Sequence, residues 1–309
     1  MNKGTSYQPE VCVSFDDLVL QQEFAAFVNL SSRQAIKNVL TGRHGSKLRG
    51  RGLDFDQVRK YVRGDDVRNI DWKVTARTQT THIKEFCEER ERPVLLIIDQ
   101  SSSMFFGSER YLKSVIAARL AAILGYRVLK DGDRVGAMIL KDQEAVYIKP
   151  ANNRKNWLHI LQEIHEANNE LPGKDHKNPE TATIQNWLEK VQQLKTQNYL
   201  IIAISDFLYY RPTVKEVLLS LAKHNDVILA KVNDRLEFAM QQDRWVLSDG
   251  EFQSNFNGKD SDIHRKYAAI TKESLDRFEA ELAQTGIPLM LFNTTDDVDK
   301  QVHKHFAGY

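Results

Sequence analysis

From Pro93 onward the chain alternates short apolar runs with longer amphipathic stretches, and this alternation restricts the possible folds more than any other feature. Val94 to Ile98, Val135 to Leu140, Tyr199 to Ile204, Val227 to Val232 and Ile287 to Phe292 are rich in Val, Ile and Leu and short enough to be buried strands. Between them, Arg110 to Lys130, Ala151 to Asn168, Thr183 to Leu194, Thr213 to His224 and Asp262 to Gln284 read as helices. Apolar strands separated by helices imply an α/β domain whose largely parallel sheet is covered on both faces. Ala145 to Ile148 follows Lys141-Asp142-Gln143 and reads as a hairpin partner of the second strand, which predicts one antiparallel edge.

Upstream the pattern changes. Ser14 to Leu40 carries Leu18, Phe24, Phe27, Val28, Ile36, Val39 and Leu40 at near-helical spacing, with Ser14 and Asp17 placed as a capping box. Thr41 to Thr80 is rich in Gly and Arg, with ten basic and five acidic residues, so this stretch is +5 and the rest of a chain of net charge +1 sums to −4. Its weak periodicity suggests an ordered loop region. His82 to Glu88 reads as a strand. The expected organisation is an N-terminal extension over residues 1–92 and an α/β domain over residues 93–309.

Composition removes several classes. Hydrophobic residues make up 41% of the 309, which excludes a disordered tail, and near-neutral charge argues against a general polyanion binder. No run reaches the roughly 18 apolar residues of a membrane helix, and Met1 to Glu10 lacks a signal-peptide core, so a cytoplasmic protein is expected. Cys12 and Cys87 stand far apart and read as reduced, buried thiols.

In an open α/β sheet, ligands gather where strands end at their carboxyl edge. The first strand runs into Asp99-Gln100-Ser101-Ser102-Ser103-Met104, and Tyr199 to Ile204 runs into Ser205-Asp206-Phe207. Two serines at i and i+2, with carboxylates from two loops, suit a hard cation such as Mg²⁺ that takes oxygen ligands. The alternative is that Asp99, Ser101 and Ser103 only cap the following helix and fill a turn.

These residues resemble the von Willebrand factor type A fold, a doubly wound α/β domain whose metal-ion-dependent adhesion site uses an Asp-x-Ser-x-Ser loop, a threonine and a further aspartate. The resemblance covers roughly Pro93 to Phe306 and implies Asp99, Ser101, Ser103 and Asp206 as metal ligands for Mg²⁺ or Mn²⁺. Thr181 is the implied threonine, with Thr183 as substitute. Upstream, Gly50-Arg51-Gly52-Leu53-Asp54-Phe55, Arg59 to Trp72 and Ala76-Arg77, with Ser205-Asp206-Phe207 and Asp234 to Glu237, resemble the hallmark block of a bacterial family, domain of unknown function fifty-eight. That resemblance implies a metal-dependent adaptor working with a MoxR-type AAA+ ATPase or its client, in protein assembly or maturation. Within the block, Asp65, Asp66 and Asp71 interleave with Arg59, Arg63, Arg68 and Arg77, a pattern suited to internal salt bridges or to a docking face for an acidic partner. Trp72 and Tyr61 are expected in the core, or as anchors if the block docks a partner.

Other chemistries lack their motifs. No P-loop, no Gly-x-Ser-x-Gly elbow and no His-Glu-x-x-His motif occurs, and His159, His165 and His176 fit surface positions as well as a triad. No helix-turn-helix or zinc finger accompanies the basic block, which argues against nucleic acid. A non-enzymatic binding module is therefore expected, with a metal-dependent hydrolase using Asp99 and Asp206 as the alternative.

Overall fold

The computed structural model describes residues 7–28, 53–88, 91–173, 184–194, 196–207, 212–237, 244–248, 253–257, 273 and 276–306. In chain order the strands are β1 (Leu53–Lys60), β2 (His82–Glu88), β3 (Pro93–Asp99), β4 (Arg134–Leu140) and β5 (Ala145–Ala151). They continue with β6 (Leu200–Ser205), β7 (Asp226–Asn233), β8 (Arg244–Ser248), β9 (Gln253–Asn257) and β10 (Leu289–Asn293). The helices are α1 (Phe15–Leu20), α2 (Trp72–Thr78), α3 (Lys113–Lys130), α4 (Arg154–Glu170), α5 (Ile184–Gln193), α6 (Pro212–Ala222) and α7 (Val298–Phe306); residues 276–283 are also helical. Residues 43–91 form one compact unit and the remainder of the chain another.

The larger unit is an α/β domain on a six-stranded sheet of order β10-β7-β6-β3-β4-β5. Neighbours are parallel except for β5, which runs antiparallel to β4 along one edge. Successive side chains of a strand point to opposite faces, and both faces are covered here. Val94, Leu96 and Ile98 of β3 join one apolar cluster with α1, α3, α4 and α7, whereas Leu95 and Ile97 join the other with α5, α6 and residues 276–283. That double burial is why the strands read as continuous apolar runs.

Helix α3 lies in the first cluster and is buried around most of its circumference. It begins at Lys113, three residues later than its periodicity suggests, because the preceding backbone is held elsewhere. Tyr111 N–H donates to the Thr294 carbonyl and Leu112 N–H to that of Glu10, at 3.0 Å each. Gly125 of α3 admits α4 at close range: a β-carbon there would stand 2.0 Å from Trp157 Cη2. Trp157, itself fully buried, meets Tyr126 edge-on with ring centroids 5.6 Å apart.

The stretch expected to be helical from Ser14 to Leu40 is α-helical only to Leu20 and then tightens into a 3₁₀ helix over Gln21–Phe27; residues 29–40 lie outside those described. Ser14 Oγ does accept the Asp17 N–H, at 3.0 Å. Leu18, Ala25 and Val28 enter the core cluster of the α/β domain, and Arg119 of α3 binds Asp17 at 2.9 Å, so these residues are part of that domain's wall. Cys12 is a buried thiol whose burial pushes its pKa up to about 11; the Cys87 side chain lies outside those described.

In the smaller unit, β1 and β2 pair antiparallel from Leu53–Glu88 to Lys60–His82, with a slip between Phe55 and Gln57. The Gly/Arg-rich stretch, read as loop, is thus strand and helix where described. The two-residue alternation Leu53-Asp54-Phe55 was its legible sign. Arg59 grips Asp65 with both terminal nitrogens, at 2.7 and 2.9 Å. A separate hairpin joins β8 to β9.

The two outer strands of the large sheet differ. At one edge β5 contains Pro150, and its pairing with β4 slips between Val135 and Ala137. At the other, His305 Nε2 of α7 lies 2.8 Å from the Leu291 carbonyl of β10. Among the described residues no helix is long and apolar enough to cross a membrane.

Candidate metal centre

Parallel packing brings the carboxyl ends of β3, β4, β6, β7 and β10 to one edge of the sheet. Asp99 closes β3 and is 7% exposed. Its Oδ1 accepts the Ser101 N–H at 3.0 Å and its Oδ2 accepts the Ser205 hydroxyl, from the end of β6, at 2.6 Å. Burial, and next the charge of Asp206, push the Asp99 carboxyl up to about 6 against the pull of these hydrogen bonds. Burial and the neighbouring carboxylate thus disfavour the ionised form of Asp99.

The hydroxyls of Ser101 and Ser103 lie 3.2 Å apart. Adjacent oxygens of an octahedral Mg²⁺ shell, with bonds of 2.0–2.1 Å, stand about 2.9 Å apart, so this spacing suits two neighbouring ligands. Ser101 occupies the N-cap of the short turn Ser102–Met104, yet its side chain makes no capping hydrogen bond, and the N-cap of α3 is Leu112. The two hydroxyls thus cap no helix; they hydrogen-bond each other within the turn, and Asp99 holds the Ser101 N–H there, as a turn-filling role also requires. Among the described residues no group of three or more His, Cys, Asp or Glu converges as a metal cluster. What the loop offers is one carboxylate with two neutral hydroxyls, oxygens of the kind a hard cation takes.

The loop is held from beneath by amides. Gln100, fully buried, donates its N–H to the Leu140 carbonyl at 2.8 Å and its side-chain amide to the Ser114 carbonyl at 3.0 Å. Asn168 of α4 donates to Gln100 Oε1 at 2.9 Å while its own Oδ1 accepts the Val13 N–H at 2.9 Å. Asp142, after β4, accepts the Ser102 N–H at 2.7 Å. Fixed peptide groups on both sides leave Ser101 and Ser103 little freedom to move.

Asp206 stands at the neighbouring strand end, 2% exposed, and here the arrangement departs from a simple ligand set. Its Oδ2 accepts from Lys113 Nζ at 2.6 Å, and Lys113 also reaches Glu237 Oε1 at 2.7 Å. Burial disfavours the Lys113 ammonium, but Asp206 and Glu237 outweigh it and hold its pKa above the ordinary lysine value. Lys231 of β7 donates to the Asp206 carbonyl, and burial lowers its pKa below the usual range. Beyond Glu237, Asp234 accepts from Ser108 N–H at 2.9 Å and Thr294 Oγ1 at 2.6 Å. Burial would raise the Asp234 carboxyl, yet these hydrogen bonds and that from Leu236 N–H leave it below the ordinary aspartate value. Phe207, next in the chain, adopts φ +49°, an uncommon left-handed conformation for a bulky residue.

Asp99, Ser101 and Ser103 are thus brought together, with Asp206 adjoining them and bound to Lys113; Thr181 and Thr183 lie outside the described residues. Lys113 and Lys231 escaped sequence reasoning, and Ser205 was named only as the neighbour of Asp206, not as a partner of Asp99. Lys231 left a trace, a cation inside the apolar run Val227 to Val232, whereas Lys113 at a helix start left none. His165 serves the scaffold, 2.9 Å from the Val13 carbonyl, and His159 lies near Glu163.

One uncharacterised protein from Mycobacterium bovis and two from Mycobacterium tuberculosis strains are each 31% identical to this chain over 137 residues, 44% of its length and 43% of theirs. The chain spans less than half the length of the curated relatives it matches. A family match over residues 57–277 takes in Asp99, Ser101, Ser103, Lys113, Asp206, Lys231 and Glu237, and with it the chain belongs to the protein family of unknown function DUF58.

Proposed function

We propose that the chain is a protein-binding module of the von Willebrand factor A type, in which Asp99, Ser101 and Ser103 hold Mg²⁺ or Mn²⁺ at the carboxyl edge of the sheet. The observation that carries this reading is the pair of serine hydroxyls 3.2 Å apart beside a buried carboxylate. The mostly parallel sheet with one antiparallel edge strand supports it, since that resemblance implies such an architecture.

A bound divalent ion would supply a positive centre to which an Asp or Glu of another protein can attach. Asp99 contributes the charge, while Ser101 and Ser103 contribute oxygens without charge. Lys113 and Lys231 restrain Asp206, so the anionic surplus of the site stays small and a partner carboxylate is not repelled. Thr181, with Thr183 as substitute, is the proposed donor from the second loop. The proposed partner is a MoxR-type AAA+ ATPase or its client, in a cytoplasmic assembly or maturation step, by resemblance of the Arg/Gly block.

The test is a calorimetric Mg²⁺ and Mn²⁺ titration of the wild type beside Asp99→Ala, Ser101→Ala and Ser103→Ala, each checked for folding, followed by a metal-dependent pull-down of the ATPase. Saturable binding abolished by Asp99→Ala and weakened about tenfold or more by the serine variants is expected. No binding by the folded wild type, alone or with the ATPase, overturns the proposal. Phosphate-ester turnover lost in Asp99→Ala would replace it with the hydrolase reading.

A further inference from the structure

We infer that residues 60–81 of the smaller unit form a docking surface for an acidic segment of a partner protein, separate in chemistry from the proposed metal centre. Trp72 is 71% exposed, Val62 62% and Val67 59%, an unusual display of large apolar side chains within one short segment. The segment does not hang loose. Tyr61 N–H donates to the Thr81 carbonyl and Asp71 N–H to that of His82, each at 2.9 Å, and Ile70 bridges to Ile83, so the strand ribbon clamps both ends. Binding there would need little further ordering.

The charges are sorted. Asp65 is taken by Arg59 and by the Val62 N–H at 2.8 Å, Asp66 accepts the Arg68 N–H at 3.0 Å, and Asp71 caps α2 through Val74 N–H at 3.0 Å with Lys84 3.9 Å away. The segment's carboxylates are thus engaged locally. Lys60, Arg63, Arg68, Lys73 and Arg77 are exposed, and no carboxylate of the described residues pairs with their side chains. What the segment presents to solvent is guanidinium and ammonium groups together with an indole and two valines. Trp and Arg are the side chains that most often dominate protein interfaces, and carboxylates are the complement that guanidinium groups bind in paired hydrogen bonds.

Nucleic acid fits less well. Strand binding without sequence preference relies on successive aromatic platforms, and Trp72 is the one exposed aromatic of this segment among the described residues. Val62 and Val67 offer nothing for a base to stack on, whereas both can pack against apolar residues set among acidic ones.

The test pans a phage library of random dodecapeptides against the immobilised full chain, then measures the best synthetic peptide by fluorescence anisotropy. Trp72→Ala and the double variant Arg63→Glu/Arg77→Glu are titrated alongside, with circular dichroism as the folding control. Expected are peptides that cluster Asp and Glu around an apolar residue, with affinity lowered about tenfold or more in both variants and unchanged by chelation of divalent metal. Enrichment without acidic bias, no enrichment, or affinity unchanged in both variants would overturn the inference. So would tighter binding of a labelled oligothymidine that the same variants abolish, which would reassign the surface to nucleic acid.

Discussion

Lys113 Nζ stands 2.6 Å from Asp206 Oδ2, and the two side chains are 2% and 3% exposed. Such a pair gives up most of its hydration, so it persists only because attraction in a poorly polarisable interior and a second carboxylate, Glu237, offset that loss. The consequence is an asymmetry at the carboxyl edge of the sheet. Asp206 is tied to a fixed protein cation, while Asp99 has hydrogen bonds from Ser101 and Ser205 but no ion pair among the described residues.

Replacing Lys113 by Met removes the ammonium shared by two carboxylates and should lower stability by about 3–5 kcal/mol. Pairing it with Asp206→Asn should return a substantial part of that loss. Urea unfolding of the single and double variants measures both values, and a double variant no more stable than Lys113→Met would refute the pairing.

Asp234 titrates below its unfolded value of about 3.9, so its contribution is fully present above that pH and fades as pH falls through the folded value. Wild type should therefore exceed Asp234→Asn in stability at neutral pH, and the gap should close below about pH 4. Chemical denaturation over a pH series reads the gap, and one that widens on acidification would contradict the geometry around Thr294 and Ser108.

Gly125→Val places two methyl groups where a single β-carbon already collides with the Trp157 ring. A loss of about 1–3 kcal/mol or more is expected in thermal or urea unfolding. Trp157→Leu in the same chain should relieve the collision, although it leaves space of its own.

Asn168→Ala removes the link between Val13 and Gln100 and leaves buried amide groups unpaired, which costs about 1–3 kcal/mol. Because Gln100 lies between Asp99 and Ser101, affinity at the proposed metal centre should also fall, though no proposed ligand changes. Calorimetry at a temperature where the variant stays folded separates the two effects.

The α/β architecture could be read from the chain because β3, β4, β6 and β7 are buried on both faces, which favours apolar runs rich in Val, Ile and Leu, interrupted in β7 by Lys231. The antiparallel edge was legible from the short polar turn before Ala145. The start of α3 was not, since bonds to Thr294 and Glu10 hold residues that its periodicity would include. At the candidate site, Asp99, Ser101 and Ser103 were readable because they follow a strand directly in one loop. Lys113 of α3 and Lys231 of β7 reach Asp206 from distant parts of the chain, and nothing local marks Lys113 as buried. The indole of Trp72, for which the core was one expectation, lies in solvent, a matter decided by a segment too small to enclose it.

The two outer strands have a consequence for how the molecule behaves in a crowded solution. A bare sheet edge offers unpaired peptide groups that another chain can extend. Pro150 has no N–H to offer and the irregular pairing of β5 bends the line of the others, while at the opposite border the His305 ring already occupies the Leu291 carbonyl. Growth of the six-stranded sheet from one copy into the next is thereby discouraged at both of its borders.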